Sequence, residues 1–129
     1  MYALIIDDSR AMRRILRQIV EPLGFEILEA SNGQEGLACL HQAGRVEVCL
    51  VDWNMPVMNG LQFIMAVRSD ESWKDTKLVM VTTETEPSQM ARALMAGVDE
   101  FVMKPFTGDI LIDKLRLIGV EMTTSAEEF

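Results

Sequence analysis

The stretch Val46-Glu47-Val48-Cys49-Leu50-Val51-Asp52-Trp53-Asn54-Met55-Pro56-Val57-Met58-Asn59-Gly60 decides how this chain is read. A mostly apolar run rich in Val and Leu stops on a carboxylate and breaks into a loop bounded by Pro and Gly. Short continuous apolar runs of this kind are strands buried on both faces, as parallel sheets require. Asp52 then stands at the carboxyl end of its strand, and in open α/β sheets that end borders the ligand crevice. A charge placed there is poised for chemistry more than for packing.

The same pattern recurs on either side. Tyr2-Ala3-Leu4-Ile5-Ile6 is a strand-like run that ends on Asp7-Asp8, with Ser9 placed to cap a helix. Met12, Ile15, Leu16, Ile19 and Leu23 recur at spacings of three and four. They predict a helix over about residues 10–22 with one apolar face, and Pro22 and Gly24 mark its end. Residues 25–30 predict a second strand, and Ser31-Asn32-Gly33 opens a helix with Leu37 and Leu40 inward and Gly44 closing it. After the opening stretch comes a helix from about Gly60, with Leu61, Ile64, Met65 and Arg68 at helical spacing. Leu78-Val79-Met80-Val81 is a fourth strand ending on Thr82-Thr83-Glu84. Pro87 suits the first turn of a helix carrying Met90, Leu94 and Met95 at helical spacing and ending at Gly97. Glu100-Phe101-Val102-Met103 is a fifth strand ending on Lys104-Pro105. Ile110, Leu111, Leu115 and Ile118 mark a last helix, followed by a polar, acidic tail over residues 119–129.

Five βα units without an internal repeat or low-complexity linker predict an α/β fold, a five-stranded parallel sheet with helices on both faces. At 129 residues the chain suits one domain over 1–129. Twelve basic and twenty acidic residues leave a formal charge of −8, which opposes non-specific binding to nucleic acid or an anionic membrane. A basic or amphipathic protein partner suits it better. No apolar run approaches the roughly 20 residues of a membrane span, and Met1-Tyr2 leads directly into a strand without a signal-peptide pattern. A cytoplasmic protein is therefore expected. Cys39 and Cys49 show no CxxC or metal-ligand spacing and read as reduced, packed thiols.

Four of the five strands end on residues with chemistry: Asp7 and Asp8, Asp52, Thr82, and Lys104. Carboxylates brought together repel, and two unit charges about 4 Å apart at an effective dielectric near 20 cost on the order of 4 kcal/mol. A hard divalent cation would neutralise them, and Mg²⁺ is the usual one where phosphate oxygens complete the shell. Lys104 supplies a second positive charge, able to pair with Asp52 at rest and with a phosphoryl oxygen afterwards, and Thr82 can donate a hydroxyl to that oxygen. Singly, each residue has a plain structural reading. Asp7 or Asp8 could be an N-cap, Asp52 a loop carboxylate, Thr82 a strand end and Lys104 a solvated charge. Their convergence on one edge of one sheet favours the joint reading. His41 reads as an exposed helix residue, and the methionines at helical spacing as filler and not a metal site.

Asp7-Asp8, the loop Asp52-Trp53-Asn54-Met55-Pro56 with Met58 and Gly60, Thr82 with Glu84, and Lys104-Pro105-Phe106-Thr107 together resemble response-regulator receiver domains of two-component systems. The resemblance runs from residue 2 to about 118 and implies the strand order 2-1-3-4-5. It makes Asp52 the phosphoacceptor, with Mg²⁺ held by Asp7, Asp8, Asp52 and the Asn54 backbone carbonyl, and with Lys104 and Thr82 absorbing charge on the transferring group. It implies Asn54, Thr83 and Glu84 as modulators of a short-lived phosphoryl group, and a cis Lys104-Pro105 bond. It also implies a Thr82–Phe101 switch that alters the face of the fourth helix, fifth strand and fifth helix. The implied partners are a sensor histidine kinase, a downstream protein such as a flagellar motor switch protein and a phosphatase, with chemotaxis as the process and no nucleic acid or membrane.

Two departures from that pattern stand out. Thr83 lies where a small residue such as Ala is usual, and Phe101 lies where chemotaxis members carry a Tyr. A phosphorelay intermediate is an alternative within the same family. An Mg²⁺-dependent aspartyl phosphohydrolase would need a general acid two residues after its nucleophile, where Asn54 cannot protonate a leaving group. A flavodoxin-like FMN module would need a phosphate cradle in the first loop, where Asp7-Asp8 would repel phosphate. A receiver catalyses its own phosphorylation and dephosphorylation and turns over no small-molecule substrate.

Overall fold

The computed structural model describes residues 1–122. Its five apolar runs form β1 (Tyr2–Ile6), β2 (Glu26–Ala30), β3 (Val48–Val51), β4 (Lys77–Thr82) and β5 (Glu100–Met103). All neighbours pair in parallel in the order β2-β1-β3-β4-β5, as the resemblance implied. Parallel strands need crossovers, and these are α1 (Arg10–Val20), α2 (Gly33–Ala43), α3 (Gly60–Arg68) and α4 (Pro87–Ala96), with α5 (Gly108–Leu117) closing the described chain.

Alternation along the strands sorts the core into two layers. Leu4, Ile6, Cys49, Val51, Leu78, Met80 and Phe101 point to one face, where Leu40 of α2, Phe63, Ile64 and Val67 of α3 and Ala93 of α4 cover them. Ala3, Ile5, Val48, Leu50, Val79, Val81 and Val102 point to the other, under Leu16 and Val20 of α1 and Leu111 and Leu115 of α5. β3 is buried at all four positions, which explains its unbroken apolar run.

The element limits differ from the sequence expectation where a local bond intervenes. α1 stops at Val20 and Glu21–Leu23 forms a 3₁₀ turn, because Pro22 has no N–H to continue the helix. β3 pairs only from Val48, while Val46 is buried beneath Thr76, whose hydroxyl donates to its carbonyl at 2.8 Å. A second 3₁₀ turn, Glu71–Trp73, has no periodic signature. Five apolar residues at helical spacing are not core: Ile15, Met65, Leu94, Met95 and Ile110 are exposed, Met95 at 89%. In α4 the inward phase is taken by the small Ala93, and its neighbours Leu94 and Met95 turn outward. At the start of the expected polar tail Val120 is buried and its N–H donates to Leu115; residues 123–129 lie outside the described part.

Arg68, at the carboxyl end of α3, ties four segments together. Its Nε donates to the Gly97 carbonyl at 3.0 Å, Nη1 to Trp73 at 3.0 Å, and Nη2 to Thr76 and to the Asp99 carboxylate, each at 2.9 Å. Gly97 ends α4 with φ of 113°, and a Cβ there would stand 2.6 Å from Arg68 Cγ, so both backbone and space require glycine.

Candidate functional site

Each site residue stands one step past, or at the end of, its strand and is fixed by the sheet ladder. The Asp7 N–H donates to Ala30 of β2 at 3.1 Å, the Asp52 N–H to Ile6 of β1 at 2.9 Å, and the Lys104 N–H to Thr82 of β4 at 2.9 Å. The parallel order therefore brings three strand ends and their side chains to one edge.

There the carboxylates of Asp7, Asp8 and Asp52 offer oxygens that all lie within 4.8 Å of one another. Asp7 is 1% exposed, Asp8 is exposed, and the Asp52 side chain is 14% exposed. Lys104 Nζ lies 3.0 Å from Asp7 Oδ2 and 3.4 Å from Asp52 Oδ2. The expected pairing with Asp52 is present, and the ammonium is shared with Asp7, to which it sits closer. Asp7 is the more deeply buried of the two and has the greater need of a counter-charge. The other Asp7 oxygen accepts the Ser9 N–H at 2.9 Å, and Asp52 Oδ1 accepts the Trp53 N–H at 2.7 Å. Burial pushes the Asp52 carboxyl above its ordinary pKa; Lys104 opposes that, and the neighbouring Asp7 reinforces it. One ammonium facing three carboxylates leaves the cluster under-neutralised, and an all-oxygen donor set of this kind suits a hard divalent cation.

The loop after Asp52 is held at both ends. The Gly60 N–H donates to Trp53 at 2.8 Å, and a Cβ on Gly60 would fall 2.2 Å from the Asp52 carbonyl oxygen, so α3 starts closer to Asp52 than any side chain allows. Asn59 and Gln62 cap that start reciprocally, both bonds at 2.9 Å. The Met58 carbonyl accepts the Gly33 N–H at 2.9 Å, linking the loop to the start of α2. Val57 between them adopts φ of 68°, a left-handed conformation that a β-branched residue seldom takes.

Thr82 is fully buried, and its hydroxyl oxygen accepts the Glu84 N–H at 3.1 Å, leaving the hydroxyl proton free to donate. Asn54 and Thr83 are exposed and Glu84 is half-buried. The Lys104–Pro105 bond is cis, as the resemblance implied. Phe101 is 8% exposed; the register sets Met80 beside Phe101 and Thr82 beside Met103, so Thr82 and Phe101 point to the same face of the sheet two positions apart. His41 is exposed and stands edge-on to Trp73, with ring centroids 4.8 Å apart. Both cysteines are free thiols; Cys49 is fully buried, which pushes its pKa far up.

One supporting residue escaped the sequence. Arg13 donates through Nη1 to the Asp7 carbonyl at 2.6 Å and through Nε to Glu29 at 3.0 Å, clamping the backbone that carries the buried carboxylate. Nothing in the helical pattern separates it from the other arginines of α1.

Comparison with known proteins agrees with this geometry. Residues 3–116 match the response regulator receiver domain family. The chemotaxis protein CheY1 of Helicobacter pylori is 41% identical over 119 residues, spanning 92% of this chain and 96% of its own. The chemotaxis protein CheY of Pseudomonas aeruginosa is 41% identical over 119 residues, spanning 92% and 95%. Among solved structures, the chemotaxis protein CheY4 of Vibrio cholerae superposes with a TM-score of 0.84 at 34% identity, covering 91% of this chain and 97% of its own. The chain therefore belongs to the response-regulator receiver domains. Within them it is of the CheY type found in chemotaxis response regulators.

Proposed function

We propose that this receiver takes a phosphoryl group onto Asp52 from the phosphohistidine of a sensor histidine kinase and passes the signal to a protein target in chemotaxis. The observation that carries this reading is the meeting of Asp7, Asp8 and Asp52 with oxygens within 4.8 Å and Lys104 between Asp7 and Asp52. A carboxylate oxygen of Asp52 attacks the phosphorus in line. A new P–O bond forms an acyl phosphate, and the P–N bond breaks with its electron pair leaving on the imidazole nitrogen. Lys104, already within reach of Asp52, moves its charge onto a phosphoryl oxygen, and the Thr82 hydroxyl donates to the same group. Asp7, Asp8, Asp52 and the Asn54 carbonyl would hold Mg²⁺, which when bound supplies charge neutralisation on the phosphoryl oxygens.

Output runs through the α4–β5–α5 face. When the Thr82 hydroxyl turns toward the phosphoryl oxygen, it vacates space on the sheet face it shares with Phe101. Phe101 lacks a tyrosine hydroxyl and its ring is already packed in the core at 8% exposure, so the switch consists of the ring keeping or leaving that place, a difference worth about 1.5–3 kcal/mol. The exposed Leu94 and Met95 of α4 give this face an apolar contact for the target, for which a flagellar motor switch protein is the expected kind. The donor is a CheA-like kinase, a phosphatase limits the signal, and the setting is the cytoplasm. No described helix is long and apolar enough to cross a membrane.

The test is incubation of the protein with Mg²⁺ and ³²P-labelled acetyl phosphate. A single hydroxylamine-labile phosphoryl group is expected, absent from Asp52→Asn. Label that survives in Asp52→Asn, at Ser9 or His41, would refute the acyl-phosphate reading.

A further inference from the structure

We propose that Arg13 is a positioning residue for the cation site: by pinning the peptide that joins Asp7 to Asp8, it aims both carboxylates at one ion. The proposal rests on the reading of those carboxylates as Mg²⁺ ligands. β1 ends its ladder at Ile6, paired with Ala30 on one side and Val51 on the other. Asp7 still donates its N–H to Ala30, but its carbonyl lies past the last paired residue and takes its hydrogen bond from Arg13 Nη1 at 2.6 Å. A peptide unit is planar, so fixing that one oxygen fixes the plane from the Asp7 Cα to the Asp8 Cα.

The two carboxylates depend on this plane to different degrees. Asp7 is buried, and its carboxylate is already held by the Ser9 N–H at 2.9 Å and by Lys104 at 3.0 Å. Asp8 is exposed, and among the described residues its carboxylate has no hydrogen bond or ion pair. It nonetheless joins the cluster, with an oxygen within 4.8 Å of those of Asp7 and Asp52. What aims Asp8 is therefore the backbone it hangs from, and Arg13 holds that backbone.

The helix delivers the guanidinium to that oxygen. Ser9 caps α1 and at the same time donates its N–H to Asp7, so the first turn is fixed against the end of β1. Side chains in a helix tilt toward its amino end, and Arg13, in that first turn, reaches back over it to Asp7. Glu29 on β2 accepts from Nε at 3.0 Å, so the planar fork is fixed at two points. Only 15% of the Arg13 side chain is exposed. A cation beside a cation site would ordinarily repel its ion; here Glu29 neutralises the guanidinium, which acts through the carbonyl. Groups that orient metal ligands in this way typically carry about 10–100-fold in metal affinity.

The test is Mg²⁺ titration of wild type, Arg13→Met, Arg13→Lys and Arg17→Met, all in a Trp73→Phe background. It is read by Trp53 fluorescence and by the Mg²⁺ concentration that half-saturates labelling by acetyl phosphate. Charge alone predicts that losing a cation beside the cluster tightens Mg²⁺ binding; the positioning role predicts the reverse. Arg13→Met should raise the Mg²⁺ Kd about tenfold on both readouts. Arg17→Met removes the same charge from Glu29, which Arg17 meets at 3.4 Å, without touching Asp7, and should stay within about twofold of wild type. Arg13→Lys keeps the charge but not the fork and should weaken Mg²⁺ by about twofold or more, which decides the matter if Arg13→Met does not fold. An Arg13→Met Kd equal to or below that of wild type would overturn the role. So would an equal loss in Arg17→Met, by making the effect one of general charge or helix packing. A wild type that responds to Mg²⁺ on neither readout would fail the Mg²⁺ reading and the positioning role with it, whereas a responsive wild type beside an unchanged Arg13→Met would overturn the positioning role alone.

Discussion

Replacing Asp52 should stabilise the metal-free protein. In wild type Asp52 faces Asp7 and Asp8 with oxygens no more than 4.8 Å apart, and Lys104 at 3.4 Å. At an effective dielectric near 20, each of those repulsions is worth about 3.5 kcal/mol or more, against about 5 kcal/mol of attraction to the ammonium. Asp52→Asn removes all three while keeping the oxygen that accepts the Trp53 N–H, and Lys104 retains Asp7 at 3.0 Å. A net gain of about 2 kcal/mol is expected, or roughly 5–10 °C in Tm for a domain of this size.

The pH dependence fixes the cause. Burial and the Asp7 charge outweigh Lys104 and raise the folded-state pKa of Asp52 above its unfolded value of about 3.9. Between those two values the folded chain binds more protons than the unfolded one, so wild-type stability falls as pH rises through that window. The Asn variant lacks this loss. Its advantage should be absent well below pH ~4, full once pH exceeds the folded pKa, and eroded when millimolar Mg²⁺ stabilises wild type. Thermal and urea unfolding in EDTA across that pH range measures it. A variant no more stable than wild type at pH 7, or one whose advantage persists unchanged at pH 3, would refute the electrostatic account.

Three further outcomes follow from the loop after Asp52. Gly60→Ala drives a Cβ to within 2.2 Å of the Asp52 carbonyl and should cost about 1–3 kcal/mol by urea midpoint; an unchanged midpoint would mean that the junction yields freely. Val57→Asn relieves a β-branched residue at φ of 68° on a side chain 73% exposed and should stabilise by about 1 kcal/mol; a lower midpoint would contradict the strain. Trp53 is hydrogen-bonded to Asp52, so in a Trp73→Phe background Mg²⁺ should quench its fluorescence, and Asp8→Asn should weaken the response. No change at millimolar Mg²⁺ would count against the metal assignment.

The strands and the acid cluster were legible because burial on both faces leaves continuous apolar runs, and because parallel topology sends every strand's carboxyl end to the same edge. Asp7, Asp52 and Lys104 could be placed from one-dimensional information for that reason. Helix phase was less legible. Spacing alone cannot tell whether Leu94 or its small neighbour Ala93 faces the sheet, since both belong to stripes a third of the helix wide. The sharing of Lys104, the grip of Arg13 on Asp7 and the left-handed Val57 depend on distances set by tertiary packing, and no residue type announces them.

The clasp around Arg68 has a mechanical consequence. It holds the Gly97 carbonyl at the carboxyl end of α4 while also gripping Trp73, Thr76 and Asp99. The opposite end of α4 begins at Pro87, three residues past Glu84; its N-cap Glu86 caps no helix N–H with its side chain and holds only the Ser88 hydroxyl, at 2.8 Å. α4 is therefore a lever with its fulcrum at Gly97. Under the proposed switch, a pull at Thr82 would reach α4 at its Pro87 end, ten residues from that anchor, so the helix would turn about Gly97.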